Sequence, residues 1–181
     1  LSGKLNTFKK IKLSILHLRM INPTKGLIEK FYTAFQNKDA ETMISCYHDD
    51  VVFCDPVFGE LRGDDAKAMW QMLCRNAKDL RIEFSEINAS LKKGSVHWEA
   101  WYTFSKTGRK VHNIIDAQFE FKDFKIIRHT DSFNLHKWAS QALGWKGWLL
   151  GGTKFFATKI NAQTCRSLTD FKEKNKSVGQ P

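Results

Sequence analysis

The chain has 181 residues, 42% of them hydrophobic, and a formal net charge of +10; that length suits one domain with a full core and leaves two domains cramped. The charge sits at the ends: residues 1–19 carry five Lys/Arg and no acid, residues 20–136 sixteen basic and seventeen acidic, and residues 137–181 eight basic and two acidic. A nucleic-acid domain carries its basic residues across the folded body, so this distribution argues for solvated tails and against a nucleic-acid partner.

In chain order, the first segment is a basic leader, residues 1–19. Phe8, Ile11, Ile15 and Leu18 fall at helical spacing, but charges break the apolar run and no cleavage signature follows, so a signal peptide is not expected. Met20 is a candidate natural start. Leu27, Ile28, Phe31 and Phe35, then Met43, Ile44 and Tyr47, repeat at three and four residues around Asn37-Lys38-Asp39, which predicts two helices joined by a tight turn. A strand follows to Asp55, and then a third helix with Met69, Trp70 and Leu73 on its apolar face and Asp64 or Asp65 as its cap. Leu80–Leu91, Val96–Ser105, Val111–Lys122 and Phe124–Leu135 read as four strands separated by turns. Helices first and a meander after make an α+β domain over residues 20–136, in which a curved antiparallel sheet and its covering helices enclose a conical cavity.

Residues 137–181 read as a helical extension. Lys137–Leu143 is helical and stops at Gly144, Trp145 to Leu150 crowd a Gly-rich turn, and Lys154–Lys172 places Phe156, Ile160, Leu168 and Phe171 near one face. This apolar surface is expected to pack on its own or a partner's domain, with membrane contact as the less favoured alternative. The four cysteines form no CxxC pair and the six histidines no HExxH, so neither a structural metal nor a disulfide framework is expected, and a reducing cytoplasm fits better than secretion.

The residue with the most chemical promise is Asp55, in Asp55-Pro56-Val57-Phe58-Gly59. Strand alternation puts it on one face with Val51 and Phe53, so if that face is buried its carboxyl points inward among apolar neighbours. Such an acid holds its proton more tightly than a solvated one and can act as a general base. The competing reading is an Asp that starts a turn before proline.

Lys30 to Asp39, Tyr47-His48-Asp49-Asp50-Val51-Val52-Phe53, Asp55-Pro56-Val57 and Phe119-Glu120-Phe121 together resemble the nuclear transport factor 2-like superfamily over about residues 22–135. Within it the chain looks most like the SnoaL-like branch, grouped with polyketide cyclases and ketosteroid isomerases. Arg128 to Phe133 and Gln141-Ala142-Leu143-Gly144 resemble a bacterial subgroup of that branch that is mostly uncharacterised. Ketosteroid isomerase carries its proton-shuttling Asp in a DPVG sequence on the equivalent strand, and the resemblance lands that role on Asp55. The isomerase's oxyanion Tyr and Asp fall here on Phe31 and Ala117, with Tyr32 rotated about 100° round the helix and Asp116 on the opposite strand face. SnoaL-type cyclases place an acid/base Asp near Asp131.

The resemblance implies a hydrophobic small-molecule cavity, no cofactor and a homodimer. The expected activity is proton transfer by Asp55 or Asp131, as in an isomerase, cyclase, dehydratase or hydrolase; the alternative is a non-catalytic binding or dimerisation module. Candidate substrate-binding residues are Tyr32, Asn113, His129 and Trp98. Asn113 shares a face with Ile115, Ala117 and Phe119. His129 and Asp131 share a face of the last strand, where a surface or interface salt bridge with Arg128 or a neighbouring strand is the competing reading. Alternation leaves open whether Trp98, Ala100, Tyr102 and Phe104 or His97, Glu99, Trp101 and Thr103 line the cavity, although His97, His112 and Glu99 read best as cross-strand polar pairs.

Overall fold

The first helix, α1 (Pro23–Gln36), begins where Asn22 accepts the Thr24 N–H and Pro23 fixes the first helical φ. A computed structural model describes residues 22–178, with side chains described to residue 175; the leader and its helical spacing lie outside the described residues. After α1 the chain turns through Lys38, whose φ is +58°, and Asp39 caps α2 (Ala40–Ser45) through the Thr42 N–H at 3.0 Å. Six strands follow the expected order with one addition: β1 (Tyr47–Asp55), β2 (Gly59–Arg62), helix α3 (Asp64–Asn76), β3 (Arg81–Ala89), β4 (Lys93–Phe104), β5 (Arg109–Lys122) and β6 (Lys125–Ser132). They form one sheet in the order β2-β1-β6-β5-β4-β3, in which only β1 and β6 run parallel.

Two differences from the sequence reading lie around Asp55. Strand β2 appears because Gly59, at φ +68°, closes a three-residue loop that brings Asp55 opposite Gly59 and Cys54 opposite Glu60. Neither Asp64 nor Asp65 caps α3; Gly63 stands at the N-cap without a side-chain bond, and both acids lie in the first turn, where the helix dipole favours negative charge. Tyr47, expected at the end of a helix, opens β1 instead.

Register shifts between Ser85 and Asn88 and between Glu120 and Phe121 mark irregularities of the kind that bends a sheet. Burial along β5 alternates, with Val111, Ile115, Ala117, Phe119 and Phe121 inward. Inward on β4 are Val96, Trp98, Ala100, Tyr102 and Phe104, which settles the face the sequence left open. The outer face carries the polar pairs: His97 bonds Asp116 at 2.8 Å, which raises the His97 pKa, and His112 pairs with Glu99 and stacks on Trp101 at 4.5 Å. Helices α1 and α3 cover the inner face, burying Ile28, Phe31, Tyr32, Met69 and Trp70.

The C-terminal residues close the remaining side. Helix α4 (Leu135–Leu143) docks on β5, where Gln141 bonds both the His112 N–H and its carbonyl. Trp145–Leu150, expected as a turn, is a short helix, α5, because Gly147 lets it lie directly on α4. Helix α6 (Lys154–Val178) runs past the expected end and packs against α3, burying Ile160 and Leu168. Its Thr164 hydroxyl donates to the Val57 carbonyl at 3.1 Å, so it also covers the turn after Asp55.

Candidate functional site

The inner face is crossed by a chain of buried polar groups. The Trp70 Nε1–H donates to the Tyr47 hydroxyl at 2.7 Å, that hydroxyl lies 2.7 Å from His129 Nδ1, His129 Nε2 lies 3.0 Å from Asp131 Oδ1, and the Trp98 Nε1–H donates to the same oxygen at 3.3 Å. An indole nitrogen only donates and a carboxylate only accepts, which together fix the direction of the rest for a neutral imidazole. With Trp70 donating, the Tyr47 O–H is directed to His129 Nδ1, and the imidazole's remaining N–H at Nε2 donates to Asp131. This tautomer, assigned from the network, satisfies every member. His129 is fully buried and Asp131 is 5% exposed. A surface salt bridge is therefore ruled out for them; Arg128 instead faces Glu120 across the outer side at 4.0 Å.

Asp55 lies level with this network. Cys54 pairs with Thr130 in the parallel ladder, so the residues that follow them, Asp55 and Asp131, project to the same side of neighbouring strands. Phe53 packs on Trp70 and His129 at 5.5 and 5.2 Å, which fixes that parity as inward. Asp55 Oδ1 accepts the Val57 N–H at 2.9 Å and the Phe58 N–H at 2.5 Å. The turn-starting Asp and the inward-facing acid are thus the same group. Asp55 is half-buried, and burial pushes its pKa up from 3.8 to about 7 against the opposing pull of those N–H bonds, with the negative charge of Asp131 adding to the rise.

The other candidates gather nearby. Tyr32 is fully buried among Phe84, Trp98, Phe119 and Phe31, and its hydroxyl is the only buried side-chain polar atom among the described residues without a hydrogen-bond partner. Burial, then the charge of Asp131, raises its pKa well above the ordinary value. Asn113 faces inward next to Ala100 and is half-buried. Phe31 and Ala117, at the isomerase's oxyanion positions, are both buried on the inner side, while Asp116 points outward. Among the described residues no three His, Cys, Asp or Glu side chains converge as metal ligands.

Residues outside the set of candidate substrate-binding residues complete the site. Tyr102 accepts the Trp138 Nε1–H from α4 at 2.8 Å; burial raises its pKa, and the charge of Asp55 adds to the rise. Trp138 also packs edge-on against Phe104 at 5.6 Å and so closes this end of the sheet. Tyr47 shares odd parity with Val51, Phe53 and Asp55, a signal present in the sequence but masked by its helical spacing from Met43. The inner face of the sheet, where a conical cavity was expected, is packed with rings. Surface depressions of about 490 and 430 Å³ lie elsewhere, the larger on the outer face around Gln118 and Thr130, the other beside Asp39 and Phe171. Neither includes Asp55, so position on the inner face and not concavity marks this site.

The sequence profile of the SnoaL-like domain matches residues 28–129, more than half the chain. The chain belongs to the SnoaL-like domain family. Solved structures agree on the fold. An LEH-like epoxide hydrolase from M. tuberculosis aligns with a TM-score of 0.56 at 18% identity, over 70% of this chain and 92% of that one. A putative polyketide cyclase from Xanthomonas campestris pv. campestris gives 0.56 at 20% identity, over 66% and 96%. A nuclear transport factor 2-like protein of unknown function from Burkholderia pseudomallei gives 0.59 at 15%, over 67% and 98%. No curated protein matches the sequence. These identities establish the fold of this SnoaL-like protein; its chemistry has to be argued from its own residues.

Proposed function

We propose that this SnoaL-like protein binds a small, largely apolar molecule on the inner face of its sheet and uses Asp55 to move a proton on it. The observation that carries this reading is the raised pKa of Asp55, which ends its strand beside the charge of Asp131 and faces a wall of aromatic rings. A carboxyl whose pKa is about 7 is half ionised at neutral pH, so it can take a proton and return it without a cofactor. Asp131, held by Trp98 and His129, supplies the neighbouring charge that helps keep Asp55 protonated. The unpartnered Tyr32 hydroxyl and the Asn113 amide can donate to a substrate oxygen as negative charge develops on it. The chemistry belongs to the proton-transfer class of the isomerases, cyclases, dehydratases and hydrolases this fold carries, with a carbonyl or polyketide-like compound as the substrate class.

One observation favours a second reading, a ligand holder without chemistry: Asp55 Oδ1 already anchors the Val57–Phe58 turn. The two readings separate in deuterated water. Incubated with a panel of apolar enolisable ketones, the wild-type protein should exchange a substrate C–H for deuterium. Asp55→Asn should lose at least about a hundredfold of that rate. Tyr32→Phe should weaken binding while leaving the fold as stable or more so, because it removes a buried hydroxyl that has no partner. Retained exchange in Asp55→Asn would remove Asp55 from the chemistry. Ligand binding without exchange in the wild type would establish the holder.

A further inference from the structure

Helix α5 reverses the usual amphipathic arrangement. Its buried face is glycine: a Cβ on Gly147 would lie 1.9 Å from the Ala139 carbonyl oxygen, and one on Gly151, just past the helix, 2.6 Å from the Ala139 Cβ. The His136 Nε2–H donates to the Trp148 carbonyl at 2.6 Å and bolts the two helices together. With its backbone seated on α4, the large side chains of α5 can only face outward. Trp145 is 71% exposed, Trp148 66% and Leu149 59%; Leu150 and, at the start of α6, Phe155 extend the patch. A soluble surface rarely presents two tryptophans and two leucines on one six-residue helix.

The charge around the patch is one-sided. From residue 132 to residue 169 the chain has five cationic side chains, Lys137, Lys146, Lys154, Lys159 and Arg166, and no Asp or Glu. The Lys146 ammonium lies 5.8 Å from the Trp145 ring and that of Lys159 5.7 Å from the Phe155 ring, so the cations rim the apolar surface directly.

We propose that this patch docks the protein on an anionic phospholipid surface. Trp and Leu at this exposure are suited to the boundary between headgroups and acyl chains, and Lys stems reach back from such a layer to phosphate. The docking is peripheral, since no helix among the described residues is long and apolar enough to cross a membrane. Charge argues against the other occupants: a second copy would set two cationic rims against each other, and residues 1–19 are themselves basic. The inference stands apart from the reading of Asp55.

Flotation of the full chain with phosphatidylcholine vesicles, with and without an equal part of phosphatidylserine, tests it. Binding is expected only with phosphatidylserine, with a blue shift of Trp emission and weakening at high salt. Trp145→Ser with Trp148→Ser should cut the bound fraction at least about tenfold with the melting temperature unchanged, since both residues are exposed. Lys146→Glu with Lys154→Glu should do the same, and Asp55→Asn should bind like the parent. Absence of binding at low salt would overturn the proposal, as would binding that survives the Trp replacements, which would assign it to the basic ends. A dimer abolished by the Trp replacements in a protein that ignores vesicles would overturn it in favour of self-association.

Discussion

Asp55→Asn is expected to make the protein more stable than the wild type above pH 7 and to leave it unchanged near pH 4. The sign follows from linkage. The folded protein holds the Asp55 proton up to about pH 7, whereas the unfolded chain releases it near 3.8. Between those values the native state binds more protons than the unfolded state, so stability falls as pH rises through the window and the full penalty is present above 7. Asn cannot ionise, and its side-chain oxygen still accepts the Val57 and Phe58 N–H bonds. The gain at pH 8 is between about 1 and 4 kcal/mol, the upper figure applying to a carboxyl fully shut off from solvent. Urea denaturation of both proteins from pH 4 to 8 checks it: the two stability curves should diverge as pH rises. Parallel curves would place the Asp55 carboxyl in a solvent-like setting.

The largest loss of stability is expected from His129→Ala. The imidazole is fully buried, in ring contact with Phe119 at 4.5 Å, Phe53 at 5.2 Å, Phe31 at 5.5 Å and Trp70 at 5.9 Å, so its removal opens a cavity in the centre of the core. It also leaves the Tyr47 O–H without its acceptor and deprives the buried Asp131 carboxylate of one of its two donors. Cavity and orphaned polar groups together cost about 3–5 kcal/mol, or a fall of roughly 10 °C in Tm for a chain of this size. Tyr47→Phe should show a smaller loss of the same origin, since Trp70 Nε1 and His129 Nδ1 would lose the hydroxyl they share. A melt of His129→Ala within a few degrees of wild type would mean that the network is not a structural unit.

Much of this was legible in the sequence, and the exceptions have physical reasons. Period and alternation found the three N-terminal helices and the four long strands, because each buries one regular face. Strand β2 was invisible: four residues cannot display a period, and its existence depends on the left-handed turn at Gly59. Helix α5 reads as a turn in the sequence because its apolar residues face outward and its buried face is glycine, the inverse of the pattern that reports a helix. In the site, Asp55 could be found because it ends an alternating run that continues from Phe53. His129 and Asp131 could be paired by their spacing but not placed, since only the register with β1 and the ring of Phe119, Phe53 and Trp70 shows them to be buried. Tyr47 and Tyr102 enter through partners far away in the chain, Trp70 and Trp138, which no local pattern reveals.

The two carboxyls also explain each other. Asp131 is held by hydrogen bonds from Trp98 and His129, while Asp55 has only backbone donors and an apolar surround. The negative charge of Asp131 adds to the rise that burial gives the Asp55 pKa. The positions of the missing isomerase pair, Phe31 and Ala117, leave the interior more apolar than an oxyanion hole would, which adds to the same effect.

Whether Asp55 is a buried, proton-holding acid is read from its own titration, followed by carboxyl carbon NMR and assigned by the signal lost in Asp55→Asn. A midpoint at about 7 is expected, set by burial beside Asp131. A midpoint near the ordinary 3.8 would contradict it and leave Asp55 as the anchor of a turn.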